Sequence, residues 1–152
     1  MSVEALIKGS ERLTSVFGYW PSFHDAEIIW LRLHRAHTDA GVTAPSLEME
    51  IHAFEMTNEV APTGQYVLKN HVVVHFRFTG IGFVKLEDFN CQNVLFELII
   101  SDIRQLQVQN MNFEVLLGSS YGLCGGFRCM AVEILAVMPC NENGSEIDAT
   151  RV

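Results

Sequence analysis

The chain has 152 residues, of which 49% are hydrophobic and 18% are charged, and this composition predicts a single folded domain over residues 1–152. Ten Lys and Arg against eighteen Asp and Glu give a formal net charge of -8, which argues against binding to a nucleic-acid backbone and favours a basic protein partner. Residues 1–12 mix charged with apolar side chains, and no apolar run approaches the ~18 residues of a membrane span. We therefore expect a cytoplasmic protein that does not bind membranes.

The first predicted element is one amphipathic helix over residues 3–17, because its apolar residues recur at helical spacing. Gly18 follows directly and is typical of a helix end. After a short corner, residues 26–35 alternate between apolar and polar side chains as a strand does. Residues 46–54 alternate more clearly and predict a half-buried antiparallel strand.

Further strands are predicted at residues 66–79, 83–86, 94–103, 111–117 and 127–138. Because no crossover helices separate the strands, we predict an α+β fold in which the N-terminal helix precedes a mainly antiparallel sheet or sandwich of about seven strands. Strands 94–103 and 127–138 are apolar on both sides, which predicts that the helix, a second sheet or a second subunit covers them. Residues 141–152 predict a flexible tail, with a turn at Asn143–Ser145.

The segment between the helix and the first strand reads Phe-Gly-Tyr-Trp-Pro-Ser-Phe-His-Asp-Ala-Glu over residues 17–27. His24, Asp25 and Glu27 supply the imidazole and carboxylates that metal or acid–base sites use. The structural alternative is that His24 or Asp25 bonds backbone groups and fixes the chain after the turn at Pro21. We favour a structural corner, formed by Trp20, Pro21, Phe23, His24, Asp25 and Glu27.

No other motif predicts a catalytic, cofactor-binding or metal-binding site. His71 and His75 would lie about 13 Å apart along a strand, too far apart to share one zinc ion. The segment 122–129 lacks the Lys and Ser or Thr of a phosphate loop and the second cysteine pair of a zinc site, so it predicts a glycine-rich hairpin with a buried Cys129. We expect the four cysteines to be reduced. His52 is expected to be a partly exposed strand residue.

Glu48, Glu50, His52 and Phe54 share one face of the strand at 46–54, and Glu55 and Glu59 continue this acidic segment. No Lys or Arg occurs from position 46 to position 59. Carboxylates about 7 Å apart along a strand would form a negative stripe that attracts a basic protein. The alternative is a solvated outer face that keeps the protein soluble. We take these four residues, together with Tyr19 as an aromatic anchor, as the candidate partner-binding site.

The order Gly-Tyr-Trp-Pro-Ser-Phe-His-Asp-Ala-Glu at residues 18–27 resembles the opening of the immunity protein 50 family, whose members are thought to neutralise bacterial polymorphic toxins. The likeness extends more loosely to residues 89–94 and 129–139. It implies a non-enzymatic immunity protein that binds a toxin domain made beside it, and a basic nuclease domain would suit the acidic charge. The alternatives are a small metal-dependent hydrolase that uses His24, Asp25 and Glu27, and a structural homodimer.

Overall fold

The structure is a computed structural model that describes residues 2–145, and its main feature is one antiparallel sheet of eight strands. The strands are β1 (Glu27–Asp39), β2 (Val42–Val60), β3 (Tyr66–Thr79), β4 (Gly82–Glu87), β5 (Val94–Asp102), β6 (Phe113–Tyr121), β7 (Cys124–Cys129) and β8 (Ala131–Pro139). Their order in the sheet is β4-β7-β6-β5-β1-β2-β3-β8. The predicted antiparallel sheet is confirmed, but it has eight strands rather than about seven.

The sheet curls over a single core instead of forming a sandwich of two separate sheets. The rings of Phe78 in β3 and Phe127 in β7 have centroids only 4.9 Å apart, although the two strands stand five positions apart in the sheet. In a flat sheet, strands at that separation would lie about 24 Å apart. β1 and β5 share only the pair Glu27↔Val94 in the sheet register, so the two halves of the sheet are joined by little strand pairing.

The chain passes between the two ends of the sheet at two neighbouring bends, from β3 to β4 and from β7 to β8. β3 runs into β4 through Gly80 and Ile81, and β7 runs into β8 through Met130, whose N–H donates to the Thr79 carbonyl at 2.9 Å. Gly80 has φ +69, and a Cβ there would collide with the Met130 side chain. The single strand predicted over 127–138 is therefore wrong, because the chain passes from one half of the curled sheet to the other within it.

The predicted single N-terminal helix is also wrong. Val3–Leu6 is a 3-10 helix and Glu11–Phe17 is the helix α1. Between them Lys8 joins β8, because its N–H donates to the Val132 carbonyl at 3.1 Å and its carbonyl accepts from the Ile134 N–H at 2.8 Å. Pairing with a strand competes with helical hydrogen bonds, so the periodic segment divides into two pieces.

The end of α1 lies where the sequence predicts it. Gly18 has φ 82, and its N–H donates to the Thr14 carbonyl at 2.7 Å, which satisfies a helix-terminal carbonyl. Leu13 and Phe17 of α1 are buried in the core. Among the helices that the structure describes, none combines the length and apolar content needed to cross a membrane.

The core does not cover both faces of every apolar strand. On β5, Leu95 and Leu98 are buried, but Phe96 and Ile99 are exposed, so the prediction that this strand is covered on both faces does not hold within the chain. The four cysteines form no disulfides, as predicted. Cys129 is fully buried, and burial raises the pKa of its thiol to about 12, which suits an inert core residue.

The C-terminal part that the structure describes ends in an ordered turn. The Asn141 N–H donates to the Ser145 carbonyl at 2.9 Å, and the Gly144 N–H donates to the Asn141 carbonyl at 3.0 Å, so the turn predicted at 143–145 is confirmed. The flexible tail was predicted from residue 141, but residues 141–145 are held by these bonds. Residues 146–152 of that predicted tail lie outside the described residues.

Candidate functional site

The corner between α1 and β1, residues 18–27, is held against β5 by backbone hydrogen bonds. The Asp25 N–H donates to the Leu95 carbonyl at 2.9 Å, and the Leu98 N–H donates to the Ser22 carbonyl at 3.3 Å. Phe23 and Asp25 have φ of 63 and 65, a conformation that costs energy for residues with side chains and persists where surrounding contacts require it. The corner is thus a rigid junction between α1 and the curl of the sheet.

The aromatic residues of the corner divide between the core and the surface. Trp20 and Phe23 pack edge-on against Phe76, with ring centroids 6.4 and 5.8 Å from it. Tyr19 is 51% exposed. Tyr19 is therefore the aromatic residue of the corner that is available to a partner, whereas Trp20 and Phe23 help to anchor the corner to the core.

His24, Asp25 and Glu27 do not converge on a common point. The Nδ1 of His24 hydrogen-bonds the Phe96 carbonyl at 2.9 Å, while its Nε2 lies 3.6 Å from the Asp25 carboxylate. Within residues 2–145, the one group of three potential metal ligands in mutual reach lies elsewhere, at Glu87, Asp88 and Cys124. The three corner residues therefore do not form the ligand set that the hydrolase alternative would need.

Glu48 lies at the centre of an ion-pair network on the outer face of β1, β2 and β3. Its carboxylate accepts hydrogen bonds from His75 Nε2 at 2.8 Å and from Arg32 Nη2 at 3.3 Å. We call this group the Glu48 network; its residues are Arg32, His34, Glu48, Glu50, His75 and Arg77. The partners come from both neighbouring strands, because Glu48 pairs with Arg32 of β1 and with Arg77 of β3 in the sheet register.

The Glu48 network pairs one carboxylate of the predicted acidic stripe, that of Glu48, with two arginines. Glu48 is only 4% exposed, so the expectation that its carboxylate lies on a solvated strand face is wrong. Burial raises the pKa of Glu48, but hydrogen bonds from His75 and Arg32 and the charge of Arg77 outweigh burial and lower the pKa overall. Glu50 is half-buried and lies 3.9 Å from His75 Nδ1.

His52 is also enclosed rather than partly exposed as predicted. It is 7% exposed, and its Nε2 hydrogen-bonds His71 Nδ1 at 3.0 Å. Burial, and then the neighbouring His71, lower the pKa of His52. The turn at Gly144 lies against the His52 ring, because a Cβ on Gly144 would come within 3.2 Å of His52 Nδ1. His52 is therefore part of the packing of the C-terminal turn.

The structure brings the remaining two predicted binding residues, Tyr19 and Phe54, together at one pocket. This corner pocket has a volume of about 190 Å³ and lies between the corner and the distal half of β2. Its lining residues are Tyr19, Pro21, Ser22, Phe23, His24, Phe54, Glu55 and Met56. Burial, and then the neighbouring Glu55 carboxylate, raise the pKa of Tyr19.

Met56 was not predicted as a site residue, and Glu55 was predicted only as a continuation of the acidic stripe. A bulge between Ala53 and Glu55 interrupts the β2–β3 register, so simple alternation cannot place the residues beyond it. Asn70 donates to Glu55 Oε2 at 2.8 Å and fixes that carboxylate. The sequence signal that was available is the run Phe54-Glu55-Met56, which lacks any basic residue.

The sequence model of the family described as Immunity protein 50 matches residues 9–139. The match includes the corner, the Glu48 network and the corner pocket, and it covers most of the chain. No curated protein and no solved structure matches the chain.

Proposed function

Because the family model spans residues 9–139, this chain belongs to the immunity protein 50 family, and we propose on that premise that it is a non-enzymatic protein that binds and neutralises a bacterial toxin domain. The family match is the observation that carries this proposal. Within residues 2–145, His24, Asp25 and Glu27 do not form one three-ligand group, and this is consistent with the proposal, since inhibition by binding needs a preorganised surface rather than a catalytic group.

The toxin domain is proposed to be basic, as many nucleases are. The chain has a formal net charge of -8, and a charge of this sign speeds the encounter with a positively charged partner. Glu48 is a poor local contact of this kind, because Arg32 and Arg77 already lie within 4.0 Å of its carboxylate. The charge that steers the partner therefore comes from acidic residues other than Glu48.

Tyr19 and Phe54 are proposed as the aromatic anchors of the interface. Both line the corner pocket, and Tyr19 is exposed on a corner whose backbone is already fixed by its bonds to β5. Binding energy at interfaces concentrates in a few aromatic residues. A rigid support lowers the entropy that such a residue loses on binding.

The function is tested with the toxin domain encoded beside this chain. We expect co-expression to restore growth to bacteria that the toxin domain otherwise arrests, and the two purified proteins to co-elute in size-exclusion chromatography. An unrelated toxin domain is the control, and it should neither be neutralised nor co-elute. Unchanged growth arrest together with separate elution would reject the proposal.

A further inference from the structure

The corner pocket has the size and position of a receptor for one side chain of a partner protein. Its volume of about 190 Å³ is smaller than the roughly 300–1,000 Å³ that is typical of pockets for small ligands. Two of its lining residues, Tyr19 and Met56, are each 51% exposed, so a protruding side chain can reach it from solvent. A long side chain fits these dimensions better than a cofactor does.

The charge of the pocket selects the kind of side chain. Glu55 is the carboxylate among its lining residues, and that set contains no Lys or Arg. Lys69 is the partner of Glu55 in the sheet register. Among the described residues, however, no Lys or Arg nitrogen lies within 4.0 Å of the Glu55 carboxylate. This situation is the opposite of that at Glu48, where two arginines lie within 4.0 Å of the carboxylate.

The Glu55 carboxylate is oriented but not fully used. Its Oε2 accepts the hydrogen bond from Asn70 at 2.8 Å, and the carboxylate also interacts with the Tyr19 hydroxyl, whose pKa it raises after burial. An ionised carboxylate has about four acceptor sites. The remaining acceptor capacity is thus available to a donor that enters the pocket. A guanidinium or ammonium group, which only donates, matches this capacity.

The other lining residues also favour a cation. Tyr19 and Phe54 supply aromatic rings, whose faces attract cations and cover the apolar stem of a long basic side chain. His24 Nδ1 bonds a carbonyl at 2.9 Å, and a carbonyl can only accept. Nδ1 therefore carries a proton, and Nε2 lies 3.6 Å from the Asp25 carboxylate.

From this geometry we propose that the corner pocket binds an arginine or lysine side chain of the partner protein, with Glu55 as the counter-charge and Tyr19 and Phe54 as the aromatic walls. The inference rests on the proposed function for the identity of that partner as a toxin domain. Glu55, on the distal half of β2, is then the contact through which this acidic chain engages a basic domain.

The test titrates the full chain with N-acetyl-arginine methylamide and follows backbone amide resonances by NMR. The uncharged citrulline analogue, which has nearly the same shape, is the control ligand. We expect saturable shifts at residues of the corner pocket with the arginine analogue and much smaller ones with citrulline. Equal shifts with the two ligands, or none at the pocket, would overturn the inference.

Two variants make the test specific for Glu55. Glu55→Gln should weaken binding of the arginine analogue about fivefold, which corresponds to about 1 kcal/mol for an exposed ion pair. Glu59→Gln removes a carboxylate of β2 that lies outside the pocket, and this variant should bind as the unmodified chain does. Dispersed spectra of both variants report that they are folded, and wild-type affinity in a folded Glu55→Gln protein contradicts the inference.

The failure of this inference is distinguishable from the failure of the proposed function. If the toxin domain is neutralised but the arginine analogue does not bind, the immunity role stands and the pocket is not its contact. If the analogue binds but the neighbouring toxin domain is not neutralised, the pocket does bind a basic side chain, and the proposal that the partner is this toxin domain is rejected.

Discussion

Two carboxylates of the same strand, Glu48 and Glu55, occupy opposite electrostatic environments. Glu48 lies in the regular part of β2, where the register places Arg32 and Arg77 on either side of it. Glu55 lies beyond a bulge, faces the corner, and accepts a hydrogen bond from the neutral Asn70. The number of carboxylates in the sequence of a strand therefore differs from the number that are available to a partner, because basic residues on the neighbouring strands neutralise some of them.

The largest expected effect is the loss of stability when Glu48 is removed. Glu48→Ala leaves Arg32, His75 and Arg77 without their buried counter-charge, and we expect it to lower the free energy of unfolding by about 2–4 kcal/mol. The value lies below that of a fully buried pair because Arg32 is largely exposed. Urea denaturation measures it, and a loss below about 1 kcal/mol would show that the network is not a structural centre.

The next effect concerns binding at the corner pocket, which Tyr19 lines beside β2. Tyr19→Ala should weaken binding to the toxin domain by about 2 kcal/mol, as expected for an exposed aromatic anchor on a rigid support. Isothermal titration calorimetry measures the change. Tyr121→Ala is the matched control, since Tyr121 is 58% exposed and does not line the corner pocket. Equal losses for the two tyrosines would remove the distinction between the pocket and the rest of the surface.

A pH effect is expected from the enclosed half of β2. Burial and His71 lower the pKa of His52 in the folded protein, so its contribution to stability is fully present above the ordinary histidine pKa of 6.5. That contribution is lost as the pH falls from 6.5 through the folded value, because the unfolded chain then binds the proton first. Thermal unfolding between pH 7.5 and 5 should show this loss, and His52→Gln should flatten it. An unchanged slope in the variant would assign the pH dependence to other groups.

The smallest expected effect sharpens the contrast with Glu48. Glu55→Gln should change the free energy of unfolding by no more than about 0.5 kcal/mol, because the carboxylate makes no ion pair among the described residues and Gln retains an acceptor for Asn70. Urea denaturation beside Glu48→Ala provides the measurement. A loss comparable to that of Glu48→Ala would mean that Glu55 is a structural residue rather than an available one.

Strand patterns predicted much of the fold, and the exceptions have identifiable causes. The alternation at 46–54 predicted a strand of an antiparallel sheet, and the structure has β2 there with Leu47 and Met49 in the core, because side-chain direction in a strand depends only on position along it. The break at Met130 and the division of the helix near Lys8 were not predicted. Both depend on hydrogen bonds between segments far apart in sequence, which periodicity does not report.

Several residues of the candidate site were predicted from the sequence, but which of them lie together was not. Tyr19 and Phe54 were both named from the sequence, and the structure places them at one pocket. Glu48 was assigned to the same binding surface and belongs instead to the interior of an ion-pair network. The sequence offers no sign of this difference, since the partners of Glu48 are 16 and 29 residues away from it, at Arg32 and Arg77.

The sequence by itself determined the family, the antiparallel class of the fold, the end of α1 at Gly18 and the inward residues of β2, because each is set by local order and short-range periodicity. Only the tertiary structure decided which acidic residues remain available and which aromatic residues meet. Neutralisation and pocket formation act over a few ångströms in space, and the strand register and the curl of the sheet determine which residues come that close.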